Sequence, residues 1–408
     1  MKRYKSILKK PELTAPAGSW ASLIAAIEAG ANSVYFGIIG DNMRAKADNF
    51  QINDINKVVN LCHKNKVKAY ITLNSIIYDF EFKKINKVLK AAKKAKIDAV
   101  IAFDLAVIQE ANKLKIPVHL STQASISNAK AAEFLYKNLN IKRIVLAREL
   151  NLNQIQEIKN SIPKLEIETF IHGAMCMAIS GRCFLSQESF NKSANRGLCL
   201  QNCRHEYIVK DTEEDIEYEV ENNYIFSSKD LCTIEFIDKL IEANITAFKI
   251  EGRNKSPEYV KIVTGCYREA IDAYFSKKYS KELVAKLLKK LKTVYHRDFY
   301  SGYYLGKEIK NWQTTEHAEN KAEKVKHNLG IVDNYYSKVK AATIKLQANS
   351  LKIGDELIII GNKTGVLIQK VKSMQKNNKS IEKAKQGEFI AVLVDKPVKI
   401  GDKVYILK

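Results

Sequence analysis

From residue 13 to about 274, short apolar runs rich in Val and Ile alternate with segments whose apolar residues recur every three or four positions. That alternation predicts parallel strands joined by crossover helices. Eight runs read as strands: 13–17, 33–38, 69–74, 99–104, 118–123, 143–148, 167–173 and 247–251. Segments such as 80–95 and 128–139 read as helices that lay one apolar face on the sheet. Eight parallel strands predict closure into a (β/α)8 barrel of the TIM-like α/β class, and an open doubly wound sheet is the alternative the pattern leaves. Either architecture puts its chemistry at the carboxyl ends of the strands. Those ends carry Asn74, Asp104, Ser121, Thr122, Gln123, Arg148, His172, Glu251 and Arg253.

The connection from the seventh strand to the eighth runs over about 174–243, far beyond the usual handful of residues. It must contain something that holds itself together. After Pro257 a helical pattern continues to about Leu291, and an aromatic, Gly-containing stretch at 295–306 closes the first domain. Residues 316–326 are polar enough for a linker. Beyond it, the runs 330–333, 339–346, 356–360, 365–371, 389–393 and 404–407 are separated by Gly, Asn and Lys turns, which predicts a small β-barrel. The expected division is thus a barrel domain at 1–315, a linker at 316–326 and a basic β-barrel at 327–408.

With 46% apolar residues the chain can bury a full core, and no apolar run is long enough to span a bilayer. The lysines of residues 1–11 are not followed by the apolar segment of a signal peptide, so the expected location is the cytoplasm. There, cysteines serve as metal ligands or buried thiols rather than disulfides. The net charge of +22 suits a polyanionic partner, although a Lys-rich coding bias would give the same excess. Residues 321–408 hold 18 Lys against 8 acids, a net +10, with no Arg and few aromatics. A basic appendage beside a catalytic domain fits a nucleic-acid handle.

Five of the seven cysteines, Cys176, Cys183, Cys199, Cys203 and Cys232, fall within the long connection in the spacing C-x6-C-x15-C-x3-C-x28-C. Thiolates are the ligands of iron–sulfur clusters, and a loop without a core of its own gains stability from such a cross-link. Structural zinc sites use tight C-x2-C knuckles, and none is present. Cys62 and Cys266 sit among apolar helical residues and read as core thiols. Cys176 and Cys183 follow directly on the seventh strand and Cys232 returns just before the eighth, so these three should reach one rim. The fourth ligand comes from the Cys199 and Cys203 pair, and Gly197 gives Cys199 the freer backbone. The expected set is Cys176, Cys183, Cys199 and Cys232 around a cluster of the 4Fe-4S type, with Cys203 as the alternative ligand.

Residues 168–186 (ETFIHGAMCMAISGRCFLS) match at every fixed position the signature of the U32 family, the collagenase-like peptidases. The segments 12–18 (ELTAPAG), 119–123 (HLSTQ), 249–253 (KIEGR) and 295–302 (YHRDFYSG) also resemble that family, so the likeness covers nearly the whole chain. The resemblance implies oxygen-independent hydroxylation with an iron–sulfur cluster, which bacterial members carry out on a tRNA wobble uridine, a ribosomal RNA cytidine or a ubiquinone precursor. Length and the terminal β-barrel resemble the tRNA members most, which implies tRNA as partner, 5-hydroxyuridine as product and a prephenate-like dicarboxylate as hydroxyl donor. A redox partner or iron–sulfur assembly machinery would complete the list, and no membrane is involved.

On this reading Arg148 and Arg253 would clamp the donor's carboxylates bidentately, with Asn74 and Ser121 also binding substrate. Their other role is an ion pair with an acid such as Glu149 or Glu251. His172, Glu251 and Gln123 are the candidate catalytic groups, His172 as acid, base or cluster partner, or else as a satisfied structural histidine. Two further readings stay open: the peptidase of the family name, for which no HExxH or GxSxG motif is present, and a non-catalytic iron–sulfur protein that docks RNA. No GxGxxG or GxxxxGK[ST] loop implies a nucleotide cofactor.

Overall fold

The computed structural model describes residues 8–40, 42–45, 47–208, 226–306, 312 and 320–408. Apolar runs and amphipathic segments fold in strict alternation: β1 (Glu12–Ala17), α1 (Trp20–Glu28), β2 (Ser33–Gly37), α2 (Ile55–Lys64), β3 (Lys68–Leu73), α3 (Phe82–Lys94), β4 (Ala99–Ala102), α4 (Leu105–Lys113), β5 (Val118–Leu120), α5 (Ala129–Asn138), β6 (Ile141–Val145), α6 (Leu152–Ser161) and β7 (Glu166–Ala174). Side chains placed just ahead of the apolar stripe start several helices. Ser19 accepts from Ser22 N at α1, Asp104 from Ala106 N at α4, Asn128 from Ala131 N at α5 and Asn151 from Gln154 N at α6. Each satisfies an amide that the first helical turn leaves unpaired.

Then follow α7 (Leu185–Phe190), β8 (Asp230–Cys232), α8 (Ile237–Glu242), β9 (Ala247–Ile250), α9 (Pro257–Phe275), α10 (Lys281–Leu291) and β10 (Phe299–Tyr300). β9 pairs in parallel with both β1 and β7, Phe248 facing Leu13 on one side and Thr169 on the other. That double pairing closes β1 to β7 and β9 into the expected eight-stranded parallel barrel. The helical pattern after Pro257 is two helices rather than one, because Lys277 turns left-handed and Ser280 caps a new start. β8 and β10 were not legible as strands: β8 runs antiparallel to β7, and two-residue β10 pairs with β8. The amino-terminal end of the barrel is plugged by charge, since Arg143 of β6 binds Glu12, Glu166 and Glu168, and Lys249 binds Glu168 at 2.7 Å.

The carboxyl-terminal region forms β11 (Lys326–Tyr336), β12 (Ala341–Leu346), β13 (Leu351–Lys352), β14 (Glu356–Gly361), β15 (Gly365–Lys370), β16 (Met374–Lys376), β17 (Lys379–Ser380), β18 (Lys383–Ala384), β19 (Phe389–Leu393) and β20 (Lys403–Leu407). Eight of these make one antiparallel sheet in the order β15-β14-β20-β11-β12-β19-β16-β17. Period-two alternation turns Leu357 and Ile359 of β14 into this sheet's own core. The opposite face presents Ile358 and, from β15, Val366 to Ala25 of α1. A strand apolar on both faces is how the sheet docks on the barrel, and Glu28 with Lys261 and Lys396 and Glu258 with Lys326 rim the joint. Of the expected linker, residues 316–319 lie outside the described residues, and Lys326 already belongs to β11. Among the described residues no helix is long and apolar enough to cross a membrane.

Candidate active site at the barrel mouth

After β7 the chain crosses the carboxyl ends of the strands as an arm of short turns and returns along β8, where Cys232 faces His172. Part of the long connection, residues 209–225, lies outside the described residues. Two glycines let the arm lie flat. A Cβ on Gly173 (φ +106°) would sit 2.7 Å from Glu251 O, and one on Gly197 (φ +85°) would sit 2.2 Å from Asn42 O. Arg204 straps the two ends together, donating to Met175 O and to Ser228 O, each at 2.6 Å. Arg196 ties the middle of the arm to the barrel through both oxygens of Glu81 and lies over the Tyr78 ring.

Four thiols share one neighbourhood on this arm. Burial raises the Cys203 thiol above its ordinary range, Arg204 opposes this, and charge on Cys176, Cys199 and Cys183 adds to the rise. The amide of Leu185 donates to Cys183 Sγ at 3.4 Å. Cys232 lies apart. It is 4% exposed, its thiol is pushed up to about 12 by burial, and its sulfur takes the Tyr267 hydroxyl at 3.7 Å. Cys203 thus shares its surroundings with Cys176, Cys183 and Cys199, whereas Cys232 packs against Tyr267 of α9. The strand pleat of β8 is the reason, since it turns Cys232 into the wall against α9. Among the described residues no three Cys, His, Asp or Glu side chains converge on a single-ion site. A donor set of thiols spread over neighbouring turns fits a multi-iron cluster better than one zinc ion.

Beneath the arm the strand ends present an excess of cations. Glu251 accepts from Arg44 Nε and Nη2 at 3.2 and 3.1 Å. Burial alone would raise its carboxyl, but Arg44, Lys255 and Arg148 outweigh that and hold it below the usual range. Arg253 donates to the neutral acceptors Asn42 Oδ1 and Thr72 Oγ1, and burial lowers it to about 10. Neither Arg148 nor Arg253 makes the ion pair with Glu149 or Glu251 that would have explained it structurally. Arg148 donates one bond, to Ala174 O, lies 4.5 Å over Phe170, and keeps Nε and Nη2 buried with no partner. Asp230 is fully buried 3.7 Å from Arg297, and Lys255, lowered to about 8 by burial, sits over the Tyr295 ring.

The remaining expected residues fall into two groups. Asn74 donates to Ser121 Oγ and Gln123 Oε1, both at 3.2 Å, and Ser121 bonds Gln123, so these three form one amide and hydroxyl cluster at the mouth. His172 stands outside it, ringed by Tyr259, Tyr267 and Phe299, with Nδ1 3.3 Å from the Tyr267 hydroxyl. Burial holds its imidazole neutral to about 3, which makes it a poor proton acceptor at neutral pH. Sequence reasoning missed Arg44, Lys255 and Asp230. Arg44 lies in a loop without periodicity, and its only signal was a polar stretch directly after a strand end.

Similarity to known proteins agrees with this arrangement. The sequence model of peptidase family U32 matches residues 18–314. A protein named collagenase from Porphyromonas gingivalis is 44% identical over 97% of each chain. The tRNA hydroxylation protein P1 of Bacillus subtilis is 36% identical over 87% of this chain and 84% of its own. The 23S rRNA 5-hydroxycytidine C2501 synthase of Escherichia coli is 38% identical over 64% of this chain and 39% of its own. With a family match spanning most of its length and the signature arm folded across the mouth of a closed barrel, the chain belongs to peptidase family U32.

Proposed function

We propose that this protein is an RNA-modifying hydroxylase carrying an iron–sulfur cluster, of the 4Fe-4S type, on Cys176, Cys183, Cys199 and Cys203, and acting on tRNA. The observation that carries the reading is the meeting of four thiols with a group of cationic side chains at one barrel mouth. The relatives named for tRNA and rRNA hydroxylation support it. A bound cluster would supply one-electron chemistry beside the pocket. The protein's own groups do the rest. Arg148, with two buried unpaired nitrogens, and Arg253, bonded to neutral acceptors only, bind the carboxylates of a prephenate-like donor. Asn74, Ser121 and Gln123 orient the pyrimidine ring by hydrogen bonds, once the base is turned out of its stack into the mouth. Glu251, held ionised by Arg44, fixes that arginine on the rim rather than moving protons.

The test is the modified-nucleoside profile of tRNA from cells with and without the protein, together with iron and sulfide in anaerobic preparations. Loss of 5-hydroxyuridine on deletion is expected, and an unchanged profile would remove the tRNA assignment. A second reading, peptidase, is favoured by the 44% identical relative named collagenase. Cleavage of collagen by the purified protein, abolished by substitution of a mouth residue, would establish it.

A further inference from the structure

A cavity of about 1120 Å³ lies outside the barrel mouth, between the barrel rim and two loops of the carboxyl-terminal sheet. That exceeds the roughly 300–1,000 Å³ of a typical small-ligand pocket, and the cleft is open along its length. On the sheet side stand the turn between β14 and β15 and the loop leading into β20, which bring Lys363, Lys399 and Lys403. On the barrel side stands the loop after β9, with Arg253 and Lys255.

The charges in this cleft are unbalanced. Asp402 is consumed within the sheet side, accepting from the Thr364 hydroxyl of the neighbouring turn and from Lys399 N of its own loop at 2.8 Å. Lys326 is taken by Glu258 at 2.8 Å. Lys363, Lys399 and Lys403 are exposed and have no carboxylate partner among the described residues. Asp48 is the remaining acid in the lining. The loop after β9 also joins the cleft to the mouth, because Arg253 bonds Asn42 and Thr72 inside the barrel while its neighbours line the cleft.

We infer that this cleft is the track for the RNA backbone, where the phosphates flanking the modified nucleotide lie on Lys363, Lys399, Lys403 and Lys255. The inference rests on the RNA reading and adds where the chain of the substrate runs. A base can enter the mouth only if its own backbone lies on the rim, and Lys363, Lys399 and Lys403 stand beside the loop that meets that rim. The carboxyl-terminal sheet thereby becomes one wall of the substrate site rather than a distant handle.

The experiment measures binding of unmodified tRNA to the cluster-loaded protein across 50–200 mM salt, for wild type, K363A/K399A/K403A and a control K57A/K87A/K90A on the outer faces of α2 and α3. Losing three phosphate contacts should lower the slope of log affinity against log salt by about 2, so that the variant's affinity changes roughly 20-fold less over that range. The control should keep the wild-type slope, and iron content should be equal in all three. An unchanged slope in the cleft variant, or an equal loss in the control, overturns the track while leaving the RNA reading intact. A wild type that binds no RNA overturns that reading itself. Binding of polyglutamate as tight as that of tRNA, and lost with the same three lysines, would reassign the cleft to an acidic polypeptide and overturn the proposal.

Discussion

Replacing Cys203 and Cys232 one at a time by alanine separates ligation from packing, because the two thiols occupy opposite environments. Cys232 is buried in the barrel wall, so Cys232→Ala deletes one buried heavy atom and leaves a small cavity beside Tyr267. The Tyr267 hydroxyl keeps its bond to Ile171 O at 2.9 Å, so no polar group is stranded. The cost should be about 1–1.5 kcal/mol, the lost transfer energy plus a cavity contribution. In a domain of this size that lowers the melting temperature by roughly 2–4 °C. Cys203 is only partly buried in the arm, and its removal should change the stability of the metal-free protein by less than about 0.5 kcal/mol. After anaerobic reconstitution the order reverses: Cys232→Ala should hold about four irons per chain, and Cys203→Ala should lose most of them. Iron and sulfide analysis with thermal unfolding of the metal-free forms reads both effects. Full iron in the Cys203 variant with loss in the Cys232 variant would refute the grouping and restore the set expected from sequence.

Three further outcomes follow from the mouth. Glu251→Gln removes the charge opposite the Arg44 guanidinium, which is 34% exposed and keeps its bond to Met43 O, and should cost about 1–3 kcal/mol at neutral pH by denaturant unfolding. Because the folded carboxyl lies below its unfolded value, its contribution is present above about pH 4 and fades as pH falls through the folded value. The gap between wild type and variant should therefore narrow in acid, and a constant gap would refute the assignment. Gly197→Ala forces a Cβ onto Asn42 O from a left-handed backbone, a strain of order 1–3 kcal/mol, and should lower iron loading without unfolding the barrel. Arg148→Met removes a guanidinium with two stranded nitrogens, so melting should stay level or rise while affinity for a prephenate-like dicarboxylate falls at least about tenfold. A variant that melts much lower with unchanged dicarboxylate affinity would assign Arg148 to structure alone.

The barrel was legible because its strands are short and apolar and its helices keep one apolar face, so periodicity alone separates them. β8 escaped because three residues, Asp230 to Cys232, carry no period, and its pairing with β7 is made in space across some sixty residues. The same strand decides where the Cys232 thiol lies. Spacing in sequence brings Cys232 back to the correct rim, but only the pleat decides which way its side chain turns. Arg148 and Arg253 were found from their strand-end positions, and their lack of acidic partners could not be. Arg44 is the converse case: only a polar stretch after a strand end marks it locally, and its meaning comes from Glu251, more than 200 residues away in the chain.

The double pairing of β9 also sets a timetable for biosynthesis. The cysteines leave the ribosome before the strand that closes the barrel, and about 50 residues separate Cys203 from the end of β9. At roughly 5–20 residues per second the arm waits several seconds with its floor incomplete. Glu251, which Gly173 packs against, and Arg253 do not yet exist during that interval. A metal centre inserted then would be held by a tether anchored at one end, over a sheet with two open edges. If these thiols carry the proposed cluster, its loading would follow chain completion, because a nascent chain arrested before β9 would present its thiols to oxygen and to passing metal ions without Glu251 and Arg253 beneath them.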